Sequence, residues 1–248
     1  MTVFAPAQKL AAYAALSANE VRAVTALSEG RPQTYSVGAD IVSEGQQLST
    51  TFMILQGWAM RYKVLRDGRR QILSFLVAGD MCDPYCFLLH QADHSIAAVT
   101  DVVTTTVSRG AMEDIVLGNP GLAKAMWVDA LVTASIQREW CVSIGQRSAF
   151  ERLSHLFCEI YARLEVVGLA KGGRCAFPVN QYELADATGM TAVHVNRVLQ
   201  DLRKRGLIEL QRPDLFIPDL PRLQAAALFD PQYLHPKPRD PQSEGDHL

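Results

Sequence analysis

Residues 181–200, QYELADATGMTAVHVNRVLQ, constrain this chain more than any other segment. Their spacing predicts a helix, a glycine-containing turn and a second helix. Ala185 is small enough for two helices to approach closely. Gly189, four residues on, supplies the positive φ that a tight helix–helix turn needs. Thr191 suits the N-cap of the second helix. Val195, Val198, Leu199 and Leu202 recur at helical spacing and should face a core. The opposite stripe is Val193, Asn196, Arg197 and Gln200, at i, i+3, i+4 and i+7. Amide, guanidinium and methyl groups in that arrangement are the chemistry that reads base edges in the major groove of DNA. The plain alternative is a pair of short helices with no nucleic-acid role. The next residues favour DNA: Arg203, Lys204 and Arg205 end the second helix. Residues 207–210 and 215–217 then flank a Gln-Arg-Pro-Asp turn. That hairpin completes the outline of a winged helix-turn-helix.

Charge is distributed to match. Residues 1–143 carry 11 basic and 13 acidic side chains, residues 144–212 carry 10 and 7, and residues 213–248 carry 3 and 6. The positive excess therefore coincides with the helix-turn-helix, as phosphate contact requires. It is small, so useful affinity calls for two copies of the unit. At 248 residues the chain can hold two modest cores. Its five cysteines (82, 86, 141, 158 and 175) are odd in number and lack a disulfide-framework spacing, which fits a reducing compartment. No signal-peptide pattern and no membrane-length apolar run is evident, so a cytoplasmic location without membrane contact is expected.

Ahead of the helix-turn-helix the texture changes twice. Residues 7–29 read as two short helices, with Ser17 and Glu20 in a capping-box arrangement. From Tyr35 to Val107, glycines 38, 45, 57, 68 and 79 separate short β-type runs at 41–42, 51–55, 59–65, 71–77 and 96–107. Evenly spaced short strands of this kind predict an antiparallel β-roll or jelly roll. Asp67-Gly68 predicts a type I′ hairpin turn, with Arg66, Arg69 and Arg70 as solvated charges. A long helix should run from Pro120 to about Ile144, with proline at its start. Leu122, Met126, Thr133, Ile136 and Trp140 follow a 4–3 spacing on one face. Trp127, Leu131, Ala134 and Cys141 form a second apolar face. Such a helix wants two partners. One is the β-roll and the other is the same helix of a second subunit, with Met126, Thr133, Ile136 and Trp140 assigned to that dimer contact. Residues 143–148 read as a joint before a further helix at 149–164. Beyond Pro218 a short helix at 220–229 leads to a proline- and aspartate-rich end, disordered from about 236.

With these parts in place, the chain resembles the Crp/Fnr superfamily of bacterial transcription regulators over roughly residues 20–230. The glycine ladder resembles that family's effector-binding, cyclic-nucleotide-binding-like β-roll. The segments Asn180-Gln-Tyr-Glu-Leu-Ala185 and Val195-Asn-Arg-Val198, ending in Gly206-Leu-Ile208, resemble its helix-turn-helix. The resemblance implies an α+β chain with the sensor in residues 1–118 and a dimerisation helix and hinge in 119–146. A winged helix-turn-helix would fill 147–220 and a C-terminal extension 221–248. It further implies a homodimer on a palindromic operator, a small-molecule effector and contact with RNA polymerase. Arg197 falls at the family's guanine-reading arginine, and Val193 where a base-reading glutamate is usual, a departure that changes the half-site preference. Thr191, His194 and Gln200 fall where phosphates or neighbouring bases are touched. Asn180, Gln181 and Asn196 complete the DNA-facing set.

The effector is not specified by the sequence, and no cofactor is. Cyclic-nucleotide members use a glutamate beside glycine for the ribose and an arginine followed by Ser or Thr for the phosphate. Here Gly79-Asp80 and His94-Ser95 stand in those places. Histidine lacks the bidentate fork that suits phosphate, which argues against a cyclic nucleotide. Residues 1–30 hold no cysteine for an iron–sulfur cluster. Cys82, Cys86, His90 and His94 are four apart throughout, so on a helix they would share one stripe. Cys82 and His94 would then lie roughly 18 Å apart, too far to share an ion, whereas adjacent pairs could bind zinc or haem iron with help from elsewhere. A haem- or metal-binding redox sensor centred on residues 82–94 is thus the competing reading. Its alternatives are plain packing of Cys86 against the roll and a thiol switch at Cys82. No P-loop, Gly-x-Ser-x-Gly or His-Glu-x-x-His motif points to an enzyme.

Overall fold

Two short helices open the chain in this computed structural model, which describes residues 5–235; the disorder expected from 236 onward lies outside the described residues. They are α1 (Ala5–Ala11) and α2 (Ala18–Ser28). The capping box at α2 forms in full: the Ser17 hydroxyl accepts from the Glu20 amide, and the Glu20 carboxylate accepts from the Ser17 amide at 2.8 Å.

Eight strands follow: β1 (Pro32–Tyr35), β2 (Asp40–Val42), β3 (Thr50–Gln56), β4 (Trp58–Val64), β5 (Arg70–Val77), β6 (Met81–Cys82), β7 (Ser95–Ala98) and β8 (Val102–Ser108). They form two antiparallel sheets, ordered β1-β8-β3-β6 and β2-β7-β4-β5, which is the β-roll. Gly57 makes the tight β3–β4 reversal with φ +90°, and a Cβ there would run into the Asp101 carbonyl. The run expected at 96–107 is two strands, because residues 99–101 leave the sheet to meet that reversal. The β4–β5 turn also differs from expectation. Only Gly68 has positive φ, Gly68 N donates to Leu65 O (2.9 Å) and Leu65 N to Arg69 O (2.8 Å). A type I′ turn needs positive φ at both central residues, so this is a longer hairpin with glycine at its left-handed position.

The second sheet is buried on both faces, and its alternation shows it. Ala59, Leu76, Ile96 and Ala98 point into the roll with Phe52, Ile54 and Val102. Trp58, Met60, Phe75, Val77 and Ala97 point outward into a second core built with the helices that follow. Along β5 the period-2 pattern therefore merges into a nearly continuous apolar run.

After α3 (Arg109–Gly118), which sequence patterning did not separate from its neighbours, comes α4 (Pro120–Gln146), begun by its N1 proline. The chain turns at Arg147, and Ser148 caps α5 (Ala149–Val166) in a second capping box with Glu151. Arg152, on the first turn of α5, holds this corner. Its guanidinium donates to Ser143 O (2.8 Å), Ile144 O (2.9 Å), Arg147 O (3.0 Å) and Thr188 O (2.6 Å). Two helix C-termini thus share one planar cation.

The remaining elements are β9 (Ala170–Lys171), β10 (Arg174–Ala176), α6 (Gln181–Thr188), α7 (Ala192–Lys204), β11 (Glu209–Gln211), β12 (Asp214–Phe216) and α8 (Leu220–Ala227), then a 3-10 turn at Pro231–Leu234. The four strands make one sheet, β11-β12-β10-β9, with β11–β12 as the wing. Aromatic contacts tie the helical half to the outer face of the roll: Trp58 to Phe177 (centroids 5.8 Å apart) and Phe75 to Trp140 (6.3 Å), with Phe157 backing Phe177 (5.0 Å). Arg70, expected to be a solvated loop charge, donates to Asp186 of α6 at 2.8 Å and joins the two halves.

Candidate nucleic-acid interface and sensor cavity

The helix-turn-helix is built by local chemistry. Asn180 caps α6, its side-chain oxygen accepting from the Tyr182 and Glu183 amides. Gly189 ends that helix in the left-handed region at φ +65°, and the Thr191 hydroxyl accepts from the His194 amide to start α7. Val195, Val198, Leu199 and Leu202 are buried, which fixes the rotation of α7. The opposite side is left outward, with Val193 (63% exposed), His194, Arg197 and Gln200. Among the described residues, no ion pair involves Arg197. Asn196 is half-buried and its amide donates to Gln181 at 3.3 Å, so both side chains also brace α7 against α6. Of the basic cluster ending α7, Arg203 donates to Leu210 O of the wing and Arg205 pairs with Asp201. Arg203 thus positions the hairpin beside the helix.

The residues expected to form a dimer face on α4 do not face outward. Met126 (3% exposed), Ile136 (7%) and Trp140 (7%) are buried in this chain's own cores, and Thr133 is half-buried on the same inner side. The outer β-sheet face and α5 cover Ile136 and Trp140, while Met126 belongs to the roll's inner core. Trp127 (60%) and Leu131 (65%), with Cys141, Val142 and Ile144 further along, form the outward apolar stripe.

Of the expected effector residues, Asp80 and His94 sit in two ion clusters lining a cavity of about 880 Å³, whereas Gly79, Cys82 and Ser95 do not line it. Gly79 precedes Asp80 at φ +100°. Asp80 pairs with Lys9 (2.7 Å) and Arg163 (3.2 Å) and accepts from the Val77 amide. Burial opposes its charge, but the two cations prevail and hold its carboxyl below the usual range. Lys9 also reaches Asp129 of α4 at 2.7 Å. In the second cluster, Arg61 Nε donates to His94 Nε2 (2.8 Å), and His94 Nδ1 faces Asp93 (2.6 Å). Asp83 lies 3.2 Å from His94 and 3.4 Å from Arg61. Burial again works against the Asp83 charge, and the neighbouring His94 and Arg61 outweigh it. The Ser95 hydroxyl accepts from the Glu44 amide at 2.9 Å and lies in β7. Arg61, Lys9 and Arg163 were not foreseen; the one sequence signal was an arginine inside the apolar run of β4.

The Cys82–His94 stripe does not exist. Cys82 ends a two-residue strand, Asp83 turns the chain at φ +53°, and residues 84–88 form turns rather than a helix. Cys82 is 1% exposed with burial pushing its thiol up to about 12, which removes the nucleophilic thiolate a redox switch needs. His90 faces Arg109, and His94 is held by Arg61. Among the described residues no group of three or more His, Cys, Asp or Glu side chains converges as a metal site would. The helical stripe from which the metal or haem reading was drawn is therefore absent. No single described helix is long and apolar enough to cross a membrane.

A third buried cluster was unexpected. The Glu159 carboxylate, 0% exposed, accepts from Trp140 Nε1 at 3.1 Å and from the Tyr233 hydroxyl at 2.9 Å. His155, one turn earlier on α5, stacks on Tyr233 (5.7 Å) and meets Phe229 edge-on (5.0 Å). The C-terminal segment is thereby fastened to both α4 and α5.

Comparison with known proteins agrees with this architecture. The family model described as a Crp-like helix-turn-helix domain matches residues 151–226, and that for a cyclic nucleotide-binding domain matches residues 32–119. The chain is similar to a probable transcriptional activator of Rhizobium leguminosarum bv. viciae, 28% identical over 189 residues, covering 75% of this chain and 77% of that protein. It is also similar to the nitrogen fixation regulation protein FixK of Azorhizobium caulinodans, 27% identical over 201 residues (78% and 77%). Among solved structures, FixK2 from Bradyrhizobium japonicum shares the fold with a TM-score of 0.70 at 22% identity, over 79% of this chain and 96% of that one. A CooA mutant from Carboxydothermus hydrogenoformans does so at 0.64 and 20% identity, over 82% and 90%.

Proposed function

The chain belongs to the Crp/Fnr superfamily, and from that premise we propose that this DNA-binding transcription regulator works as a cytoplasmic homodimer on a palindromic operator. The observation that carries the reading is α7: one face is sealed in the core, and the other offers Val193, Arg197 and Gln200 outward. Arg197 reads guanine, Val193 contributes an apolar contact, and Thr191, His194, Gln181 and the Asn180 turn meet the backbone or adjacent bases. Two such helices are presented by pairing of α4 through Trp127 and Leu131. The sensor spans 1–118, the pairing helix and bend 119–146, the DNA-reading unit 147–220 and the extension 221–248, in which Phe229 and Tyr233 pack against α5. A small molecule in the cavity sets the relative angle of roll and DNA-reading unit, and RNA polymerase is the third partner at target promoters.

Anisotropy titrations against a selected operator test the core of this. Arg197→Ala should lose about 1–3 kcal/mol per half-site, the value of one bidentate base contact. Undiminished, equally selective binding by that variant refutes the readout. Leu131→Asp should convert the sedimenting dimer to monomer, since a carboxylate would lie in the apolar seam. A monomeric parent protein refutes the pairing.

A further inference from the structure

The 880 Å³ cavity lies between the roll, α1, α4, α5 and the C-terminal turn, a volume in the range that holds a drug-sized molecule. Much of its wall is apolar, with Leu76, Met81, Val132, Ile136, Phe229 and Leu234 among the lining residues. The charges in the wall are already spent on each other. Lys9 is held by Asp80 and Asp129, Arg61 by Asp83, and Arg163 by Asp80. Five acidic lining residues (Asp80, Asp83, Asp93, Asp129 and Glu165) face three basic ones. An incoming phosphate would have to pull a buried cation away from its carboxylate, leaving that carboxylate uncompensated.

Three lining side chains nonetheless keep a buried polar atom without a hydrogen-bond partner: Ser74 Oγ, Asp83 Oδ2 and Arg163 Nη1. Nη1 lies 3.7 Å from Glu159, too far for a hydrogen bond. These three atoms are closed off from the void itself, so what the cavity presents to an occupant is apolar wall and ions already paired with one another.

We propose that this cavity binds an uncharged, mostly apolar organic molecule, and that it rejects cyclic nucleotides and other phosphates. This rests on reading the cavity as the regulator's effector site, and it specifies the ligand's chemistry. Its walls come from both sides of the bend at Arg147: the roll and α4 on one side, α5 and the C-terminal segment on the other. Occupancy therefore ties the sensing and DNA-reading halves together.

A matched pair of fluorophores tests this on the full chain. N-phenyl-1-naphthylamine is uncharged with one N–H; 8-anilinonaphthalene-1-sulfonate has the same body with an anionic group. The neutral probe should saturate at one per chain and bind at least about tenfold tighter than the anion. Cyclic AMP and cyclic GMP should neither compete nor raise the melting temperature. Thr133→Trp and Ala162→Phe, each filling the cavity from a different helix, should abolish probe binding while the melting temperature holds. The proposal is overturned by absent neutral-probe binding, by equal or tighter binding of the anion, or by saturable cyclic-nucleotide binding. Probe binding that survives both filling variants overturns it too. Operator binding is measured separately on the same variants, so loss of DNA recognition is distinguishable from failure of the ligand assignment.

Discussion

His155 makes folding sensitive to mild acid. Its side chain is 2% exposed, stacked on Tyr233 and capped by Phe229. Nε2 has no hydrogen-bond partner; Glu139 Oε1 is 3.5 Å away and already bound by Arg147. Burial, with Arg147 adding repulsion, pushes the imidazole from its ordinary 6.5 down to about 3. The unfolded chain takes up a proton below pH 6.5 that the folded chain refuses until about pH 3. The stability tied to the neutral ring is thus complete above pH 6.5 and is lost progressively as pH falls through that window. Between pH 7.5 and 5.5 this single site should cost about 1.4 kcal/mol, from the tenfold change in the unfolded chain's protonation. The assay is urea unfolding followed by tryptophan fluorescence at both pH values, on the parent and on His155→Phe, which keeps an aromatic ring in the stack. Subtracting the variant removes the contribution of every other titrating group. Identical pH dependence in both proteins, or an imidazole found by NMR to titrate near 6.5, refutes the argument.

Two further substitutions probe the same corner. Tyr233→Phe removes a hydroxyl donor from a fully buried carboxylate and should destabilise by about 1.5–3 kcal/mol, read as a lower urea midpoint with unchanged slope. Arg152→Lys replaces a four-bond fork by a point charge and should cost about 2 kcal/mol, with faster amide exchange at the end of α6 as its local signature.

The helix-turn-helix was legible because its information is local. Caps at Asn180 and Thr191, a left-handed Gly189 and a buried stripe on α7 all lie within one short segment. The ion clusters were not legible, because Lys9, Asp80, Asp129 and Arg163 meet only after the roll has closed. The regular spacing of Cys82, Cys86, His90 and His94 misled for the complementary reason. Helical spacing has meaning only on a helix, and Asp83 and Pro84 break one there. The α4 faces were exchanged because both are apolar. The discriminating sign was in another element, the merged apolar run of β5, which marks a sheet covered on its outer side and so identifies which face of α4 is already taken.

Arg152 gives the bend at Arg147 an unusual character. A corner held by water or by loop residues flexes under load, but here one rigid, resonance-planar group grips the outgoing end of the long helix and the far end of α6 at once. The ends of α4 and α6 are thereby tied to α5 through a single side chain, so losing the Arg152 fork would release both at once.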